Sequence, residues 1–486
     1  MKRLLVIVLL LTALCASSLM VTGCGKKEQD QQDTQEQQMN EPNNTATSGT
    51  PETVRFAVAW SENADPKAAG AEAVENAFAA LGCPAKGVVF YTYYQDPEFV
   101  PDETTQATAV KADVQAEDAV AAAIAQTCGD VPNIGCRARS LVNGGTLLKN
   151  AVSVLAVGGE QADVMVKAMP ILDDRSNSGK QIGRELAKVK DLKLIIALAE
   201  MRLSFEAKDG VSVEDFIRGI LTFAPEEVTL FGGNSMPDDM ATTDLAGKQF
   251  LKGNPLKGHV VAMGIGAPIN VFSNHTNEFQ PSGQTVTVTD VQDKWIVTMD
   301  DKPAMQVYRE LRGMAEDEEL TSDWQHPIGV VVGDEKVYLR MVLNWVNADG
   351  TDMDGQEVDL PPGSLKFVAP VSAGSKIKIL KGGSDAQAIL ASAKQGISEI
   401  VSQAKDSASE PALCLLSDCC ARGMRFRTFG KPDNDEILQA VLPALGDVPV
   451  FGFYAWGELG PIRGEYQGMK HQYQQHTFIS ALAAIE

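Results

Sequence analysis

The chain has few aromatic side chains, no clustered metal-ligand pattern and a shortage of positive charge. Aromatic residues make up 6% of its 486 positions, and its five histidines are scattered. No two cysteines have the CxxC spacing that many structural zinc sites use, so we predict no metal and no cofactor. Lys and Arg number 42 against 64 Asp and Glu, which gives a net charge of −22. Such an acidic surface repels phosphate backbones and argues against a nucleic-acid partner.

Long apolar runs are also absent, except for one at the amino terminus. Met1–Arg3 is basic, Leu4–Leu14 is apolar, and the small residues before Cys24 have the pattern of a bacterial lipoprotein cleavage box. The apolar run is too short for a permanent membrane span, which needs about 20 residues. We therefore predict a lipoprotein signal peptide at 1–23 and fatty-acyl chains, such as palmitate, on Cys24. The alternative is an ordinary secretory signal followed by a chance cysteine.

The mature chain is then expected to be extracytoplasmic and anchored by its lipids to the bacterial cell membrane. Residues 24–53 are rich in Gln, Asn, Asp, Glu, Ser and Thr and contain almost no apolar residue. A segment of this composition cannot bury enough surface to offset the entropy of ordering, so we predict a disordered polar tether. The remaining residues, about 430, exceed what one hydrophobic core usually serves. We therefore expect two domains, at 54–302 and 303–486.

The folded part alternates between predicted strands and helices. Val54–Trp60 and Leu192–Ala199 predict strands, and Pro66–Leu81 predicts a helix. Between His259 and Met299, short strands joined by hairpin turns indicate antiparallel sheet. Ser384–Gln403 predicts an amphipathic helix with Ser384 as its N-cap. The expected fold class is therefore α+β or α/β, with two subdomains whose mixed β-sheets are flanked by helices in a layered α/β sandwich.

The stretch on which the functional prediction depends lies near the carboxyl terminus. Ala412–Leu416 predicts a buried strand, and Ser417–Gly423 a polar loop. Asn434–Leu445 predicts a helix, and Val448–Trp456 a second strand. A strand, a helix and a strand of these lengths form a βαβ unit with parallel strands. Open α/β sheets bind ligands outside the carboxyl ends of such strands.

This geometry predicts a set of neighbouring residues as a ligand site. Arg422 would hold the carboxylate of an amino acid, and Glu458 its ammonium group. The alternative is a structural ion pair between the two. Paired glycines after the strand Val228–Phe231 permit close approach of a ligand or of another loop. The candidate ligand-binding residues are Asp418, Cys419, Arg422, Tyr454, Trp456, Glu458, Gly232 and Gly233.

Cysteine chemistry provides two further hypotheses. Cys128 and Cys136 flank a short loop, and we predict that they form a disulfide in an oxidising compartment. Cys419 would act as a nucleophile only beside a base, for which His471 and His476 are the candidates. Because no residue supplies a third orienting group or an oxyanion hole, we predict no catalytic site.

Several short motifs together resemble the FIST sensory domain family. They are Cys419–Gly423, Pro449–Tyr454, Gly457–Pro461 and His476–Thr477 for its C-terminal half, and Ile134–Cys136, Phe231–Gly233, Pro303–Ala304 and Tyr308 for its N-terminal half. The resemblance covers most of Val54–Glu486. Ala421 stands where the family usually has Gly, and Gln474 and Gln475 stand where it usually has Asn.

The resemblance implies a small-molecule input module whose ligand is amino-acid-like. No output domain follows the motifs, so we expect a membrane signalling protein as partner. Two other classes stay open: a hydrolase or thiol enzyme that uses Cys419, and a structural lipoprotein without a ligand. Stabilisation by a ligand would separate the sensor from the structural lipoprotein, since binding to the native state raises its stability.

Overall fold

The computed structural model describes most of the chain after residue 52. The described residues are 45–46, 53–95, 112–143, 145–147, 150–171, 174–200, 213–238, 246–292, 294–315, 327–332, 336–353, 355–367, 369–382, 385–431, 435–466, 469–474 and 477–486. The predicted signal peptide, Cys24, Ser384 and His476 lie outside them. Within these ranges, no helix is long and apolar enough to cross a membrane.

Helices and strands alternate through most of these residues. The helices are α1 (Pro66–Leu81), α2 (Val114–Cys128), α3 (Arg175–Leu186), α4 (Val213–Leu221), α5 (Ala304–Arg312), α6 (Ala386–Asp406), α7 (Cys420–Thr428), a π-helix (Glu436–Val441) and α8 (Leu442–Leu445). The strands are β1 (Thr45–Ala46), β2 (Arg55–Ser61), β3 (Ala85–Tyr93), β4 (Asn133–Arg137), β5 (Ser140–Val142), β6 (Gly145–Leu147), β7 (Ala151–Gly158), β8 (Asp163–Pro170), β9 (Leu192–Ala199), β10 (Thr229–Asn234), β11 (Gln249–Leu251), β12 (Asn254–Leu256), β13 (His259–Gly266), β14 (Ile269–Thr276), β15 (Gln280–Gln292), β16 (Trp295–Met299), β17 (Lys302–Pro303), β18 (Ile328–Val332), β19 (Lys336–Arg340), β20 (Val342–Trp345), β21 (Leu365–Phe367), β22 (Lys376–Lys381), β23 (Glu410–Cys419), β24 (Val450–Ala455), β25 (Glu458–Tyr466), β26 (Met469–Gln474) and β27 (Phe478–Ile485).

Four mixed or antiparallel sheets organise these strands, and helices cover them, so the predicted fold class is confirmed. Sheet I has the order β1-β2-β7-β3-β4-β11-β12, and sheet II the order β26-β25-β10-β9-β13-β8. Sheet III has the order β14-β27-β23-β24-β5-β6, and sheet IV the order β19-β18-β22-β15-β16-β21-β20, with β17 beside β16. Sheets II and III contain strands from both sides of residue 302. The domain boundary placed there stays a prediction.

Sheets I, II and III enclose one shared hydrophobic core with their inner faces. Leu155 from sheet I, Ile196 from sheet II and Leu415 from sheet III all belong to it. The Tyr91 ring of sheet I stacks on Phe451 of sheet III, with ring centroids 4.5 Å apart. The strands carry nearly continuous apolar sequence because helices cover their outer faces as well. These helices are α1 and α2 on sheet I, α3 and α4 on sheet II, and α6, α7 and the π-helix on sheet III.

Each of these three sheets contains one parallel strand pair. The pairs are β3 with β4, β9 with β10, and β23 with β24. The prediction that the two strands of the carboxyl-terminal βαβ unit are parallel is therefore confirmed. Every other ladder between the described strands is antiparallel.

Two predictions of local structure were wrong. The strand at Ala412 does not end at Leu416 but continues as β23 to Cys419, because β24 and β27 provide backbone partners on both sides. Helix α6 is capped by Asp385, whose Oδ1 accepts a hydrogen bond of 3.1 Å from the N–H of Ala388. Within the predicted tether, whose disorder stays a prediction, β1 pairs with the edge strand β2, whose exposed backbone groups favour such an addition.

The expected disulfide between Cys128 and Cys136 is not formed, and both thiols are free. Cys128 ends α2 and packs into the cluster on the outer face of sheet I. Cys136 lies in β4 and faces the shared core on the other side of that sheet. Proximity in sequence misled the prediction, because the intervening turn brings the chain from the helix layer into the sheet.

Gly232 provides a test of how closely β9 and β10 approach each other. Its φ is +153°, and a Cβ there would overlap the carbonyl oxygen of Ala197. We expect Gly232→Ala to lower the free energy of unfolding by roughly 3 kcal/mol, the sum of backbone strain and overpacking. Urea denaturation of the purified protein measures this quantity.

Gly350→Ala is the matched control for this substitution. Gly350 has a φ of +81°, but no atom lies within 4 Å of the position of its Cβ. This variant should lose only the backbone term, about 1 kcal/mol. Equal losses in the two variants would contradict the close approach at Gly232.

Candidate functional site

The carboxyl ends of the three parallel pairs meet at one edge of the shared core, which we call the strand-end edge. Backbone hydrogen bonds join the segments that leave these strands. They run from Met236 N to Arg137 O (3.0 Å), from Trp456 N to Asn234 O (3.1 Å) and from Tyr454 N to Arg139 O (3.0 Å). Sheets I, II and III are therefore all linked at this edge. Ligands of α/β proteins bind in crevices at such carboxyl ends.

The residues predicted at this edge divide between the two faces of sheet III. Along β23, Leu413 and Leu415 face the shared core, whereas Cys414 and Leu416 face the helices. Successive side chains of a strand alternate between faces. Cys419 therefore points toward the shared core, and Asp418, on the opposite face, points toward the helices.

Arg422 lies on the helix-covered face, where carboxylates hold its three nitrogens. Its Nε donates to Asp418 Oδ1 at 2.8 Å, Nη1 to Glu278 Oε2 at 2.6 Å and Nη2 to Glu436 Oε1 at 2.5 Å. The guanidinium is fully buried. A guanidinium group whose nitrogens are all bound by carboxylates of the protein has a structural role. Arg422 therefore does not bind the carboxylate of a ligand, contrary to what the sequence had suggested. The alternative pair with Glu458 is not formed either.

This cluster brings more carboxylates than cations into the protein interior. Burial, and after it the neighbouring Glu436 carboxylate, raises the pKa of Asp418 well above its usual range. The desolvation cost of such a group is large unless it is paired or neutral. Burial and the neighbouring carboxylate therefore favour the neutral form of Asp418 beside the ion pairs of Arg422.

Glu458 faces the gap between sheets II and III and is fully buried. Its Oε2 accepts a hydrogen bond of 3.3 Å from the N–H of Thr477. Its Oε1, like the buried Oγ of Ser417, has no hydrogen-bond partner in the described part of the chain. Burial raises the pKa of Glu458 well above its usual range, and the adjacent Cys419 adds to this effect. Burial thus favours the neutral form of Glu458 at this edge, where its Oε1 has no partner among the described residues.

The two glycines of the predicted site serve strand packing. A Cβ at Gly232 would overlap Ala197, and a Cβ at Gly233 would lie 2.8 Å from Ala455 Cβ and 2.9 Å from Gly457 O. The atoms that require this space therefore belong to the protein. Of the two interpretations of the glycine pair, the structure favours the close approach of a neighbouring segment.

A small apolar group lies at the strand-end edge, and we call it, together with Arg139, the mouth. The buried Tyr93 and Met236 pack together there, with the half-buried Trp456 against them. The guanidinium of Arg139 lies 5.3 Å from the centre of the Tyr93 ring. Tyr454, by contrast, belongs to the cluster between sheet III and its helices. Trp456 is therefore the predicted aromatic residue that reaches the mouth.

Sequence reasoning missed three of these mouth residues, Tyr93, Met236 and Arg139. The short strand β4 was not predicted as a strand, although Ile134–Cys136 had been noted as a motif. Arg139 lies two residues beyond its end, at the carboxyl end of a parallel strand. Its position after β4 was the signal that would have indicated a site residue.

His471 does not accompany Cys419. Its Nε2 accepts a hydrogen bond of 3.1 Å from the N–H of Leu230, near the start of β10, whereas Gly233 at the strand-end edge lies roughly 10 Å further along that strand. Burial lowers the pKa of His471 to about 4. The pair of Cys419 with His471 proposed for an enzyme is therefore not formed, and His476 lies outside the described residues.

Sheets that are covered by helices and have polar side chains at their strand ends are typical of α/β binding domains. Comparison with known proteins identifies the family of this domain. The chain matches the FIST N domain over residues 106–302 and the FIST C domain over residues 304–461. The protein therefore belongs to the FIST family. FIST domains are generally ligand-binding sensory domains and not catalytic ones.

Other comparisons add little. Among solved structures, the chain is similar to Thermotoga maritima PurL complexed with FGAR at 11% identity, over 91% of this chain and 75% of that chain, with a TM-score of 0.20. It is also similar to phosphoribosylformylglycinamidine synthase II from Thermotoga maritima at 11% identity, over 91% and 74% of the two chains, with a TM-score of 0.19. These scores carry no argument about fold or activity. No curated protein matches the chain.

The structural role of Arg422 is tested by Arg422→Met, which keeps the length of the side chain and removes its charge. We expect the free energy of unfolding to fall by about 3–5 kcal/mol, because buried carboxylates lose their cation. The control is Lys188→Met, which removes an exposed ion pair with Glu185 and should change stability little. Urea denaturation at neutral pH compares them, and similar stabilities would refute the assignment.

The protonation state of Glu458 is tested by the pH dependence of stability. Its native-state pKa is raised, so its contribution is fully present below the unfolded-state pKa, about 4.3, and declines as pH rises toward the native-state value. Glu458→Gln cannot ionise. Its stability should rise relative to that of the parent by up to about 1.4 kcal/mol per pH unit above about pH 5.

Denaturation curves at pH 5 and pH 8 measure this difference. The matched control is Glu226→Gln, since Glu226 is exposed and its pKa is lowered by Lys470. That variant should show no such gain at pH 8. A constant difference between Glu458→Gln and the parent would contradict a neutral buried acid.

Proposed function

We propose that the protein is a lipid-anchored, extracytoplasmic sensor that binds a small metabolite, such as an amino acid, at the strand-end edge. Membership of the FIST family supports the sensory role. The observation that carries the placement is Glu458, a fully buried acid at this edge whose Oε1 has no partner among the described residues.

Glu458 suits the ammonium group of an amino acid. An ammonium group presents three donors, and the unfilled acceptors available to it are Glu458 Oε1 and Ser417 Oγ. A cation at this position favours the charged carboxylate, so binding would release the proton that burial retains. The affinity should therefore increase with pH until Glu458 is ionised in the free protein.

The anchor and the partner complete the proposal. The basic Met1–Arg3, the apolar Leu4–Leu14 and the cleavage box before Cys24 support lipid attachment at that cysteine. Two or more acyl chains hold a protein stably at a membrane. A sensor in this position would pass its signal to a membrane signalling protein.

Two alternatives make different predictions. A thiol enzyme would need a base beside Cys419, and His471 is placed elsewhere by its bond to Leu230. A structural lipoprotein would bind no metabolite, so no small molecule would raise its melting temperature. Both remain less well supported than a sensor, because neither uses the buried acid at Glu458.

The proposal is tested by titrating the mature chain with each of the common L-amino acids. We expect at least one to raise the melting temperature and to change the fluorescence of Trp456. Its dissociation constant should fall by up to about tenfold per pH unit between pH 6 and pH 8. Glu458→Gln should weaken binding at least about tenfold, since a charge-assisted hydrogen bond is lost.

Glu226→Gln serves as the control and should bind like the parent. If no amino acid binds, the ligand class is wrong. If an amino acid binds equally well to Glu458→Gln, the placement of its ammonium group is wrong.

A further inference from the structure

We propose that Arg139 is the cation that receives the carboxylate of the ligand, in the role that the sequence suggested for Arg422. This inference rests on the proposed function for the location of the ligand. It names a residue that determines specificity, and it restricts the ligand to molecules with a carboxylate group.

Arg139 lies where sheets I and III meet. It occupies the connection between β4 and β5, directly beyond the carboxyl end of a parallel strand. Its carbonyl oxygen accepts a hydrogen bond of 3.0 Å from Tyr454 N, which fixes its backbone against the end of β24. The side chain is half-buried and reaches the mouth, over the ring of Tyr93.

The guanidinium of Arg139 has unused donor capacity. Its Nε is buried and has no hydrogen-bond acceptor, and no ion pair involves Arg139, in the part of the chain that the structure describes. Buried donors in proteins nearly always have an acceptor, because an unsatisfied one costs about 1–3 kcal/mol. A donor left open at the strand-end edge is therefore a place where an external acceptor is favoured.

Three buried arginines differ from Arg139 because carboxylates pair with them, although the Nε of Arg340 also has no acceptor among the described residues. Arg137 binds Glu117, with Nε to Oε2 at 2.8 Å, and also pairs with Asp238. Arg340 donates to Glu214 at 3.1 Å. Arg422 is held by its three carboxylates, as described above. Each of these cations is thus neutralised within the protein, and Arg139 is the exception at the strand-end edge.

One acid near the strand ends, Asp238, is already engaged by two other cations. Asp238 binds Arg137 through Oδ1 and Lys257 through Oδ2, the latter at 2.7 Å. Arg139 interacts with the side chain of Tyr93, through the ring and through its hydroxyl group, and a cation–π contact at a partly exposed site contributes about 0.5–1 kcal/mol. A carboxylate accepts two parallel hydrogen bonds from a guanidinium and is the stronger partner.

The surroundings of Arg139 suit a small organic anion better than an inorganic one. Tyr93, Met236 and Trp456 present apolar surface beside the guanidinium. A hydrated ion such as phosphate gains nothing from such walls, whereas the carbon skeleton of a carboxylic acid loses unfavourable contact with water. The chemistry at the mouth therefore selects a carboxylate carried on a partly apolar molecule.

The first test measures the accessibility of Arg139 in the full mature chain by phenylglyoxal labelling and peptide mass spectrometry. We expect Arg139 to react at least about tenfold faster than Arg137 and Arg422, whose guanidinium groups are buried and ion-paired. L-Amino acids that bind should protect Arg139, and their carboxamides should not. Reaction no faster than at Arg422, or equal protection by acids and amides, would overturn the proposal.

The second test compares each bound amino acid with its carboxamide by isothermal titration. The parent should prefer the acid at least about tenfold, which corresponds to 1.4 kcal/mol. Arg139→Gln should lose this preference while it binds the amide as the parent does, and Arg139→Lys should retain part of it. An unchanged preference in Arg139→Gln would refute the assignment.

The outcomes separate this inference from the proposed function. If Glu458→Gln binds normally but Arg139→Gln loses its preference for acids, the ammonium placement fails and the inference stands. If only Glu458→Gln is impaired, the inference fails. If no amino acid binds, titration with propionate against propionamide decides, since it requires only the carboxylate contact of Arg139.

Discussion

The structure depends on one constraint: three sheets share a single hydrophobic core, and each must also bury its outer face. The sheets around Leu155, Ile196 and Leu415 satisfy it by placing helices on their outer faces. Strands buried on both sides leave little room for polar side chains except where they end. The polar chemistry of the protein is therefore concentrated at strand ends, and the parallel pairs place six of these ends together.

Charged side chains are paired differently on the two faces of the sheets. Toward the helices, Arg137 and Arg422 are surrounded by carboxylates, and these clusters tie distant segments to the strand ends. Breaking such a pair leaves an uncompensated buried charge, which makes the clusters rigid connections between layers. Toward the shared core and its mouth, Glu458 and Arg139 lack comparable partners in the described chain. The ion-paired clusters hold the layers together, whereas Glu458 and Arg139 are available to bind a ligand.

Sequence reasoning succeeded where local signals were strong. Helix α1 has the predicted bounds because Asp65 caps it, Pro66 begins it and Gly82 ends it with a φ of +63°. The strand Leu192–Ala199 also has its predicted bounds, since a continuous apolar run leaves no other choice. The sequence likewise predicted that β23 and β24 are parallel and that Glu458 follows the second of them, whereas Trp456, predicted as its last residue, lies just beyond its end at Ala455.

The orientation of the Arg422 side chain could not be predicted from local sequence, because residues that are far away in the sequence determine it. Glu278 lies 144 residues from Arg422, in the connection between β14 and β15. The extension of β23 to Cys419 was equally non-local, since it depends on pairing with β27. Arg139 escaped notice because Asn133–Arg137 contains Gly135 and two polar residues and does not have the pattern of a strand. These errors share one cause, the tertiary partners that decide where a strand ends and which face its last side chains occupy.

The connection from β24 to β25 has a mechanical consequence. The chain leaves sheet III at Ala455 and enters sheet II at Glu458, so only Trp456 and Gly457 lie between the two sheets. Gly457 has a φ of +112°, and a side chain there would overlap the hydroxyl of Tyr473. The joint is thus short, crowded and confined to one backbone path. A molecule that contacted both the indole of Trp456 and the carboxyl group of Glu458 would act on sheets II and III at the same point. It could therefore change the angle between the two sheets.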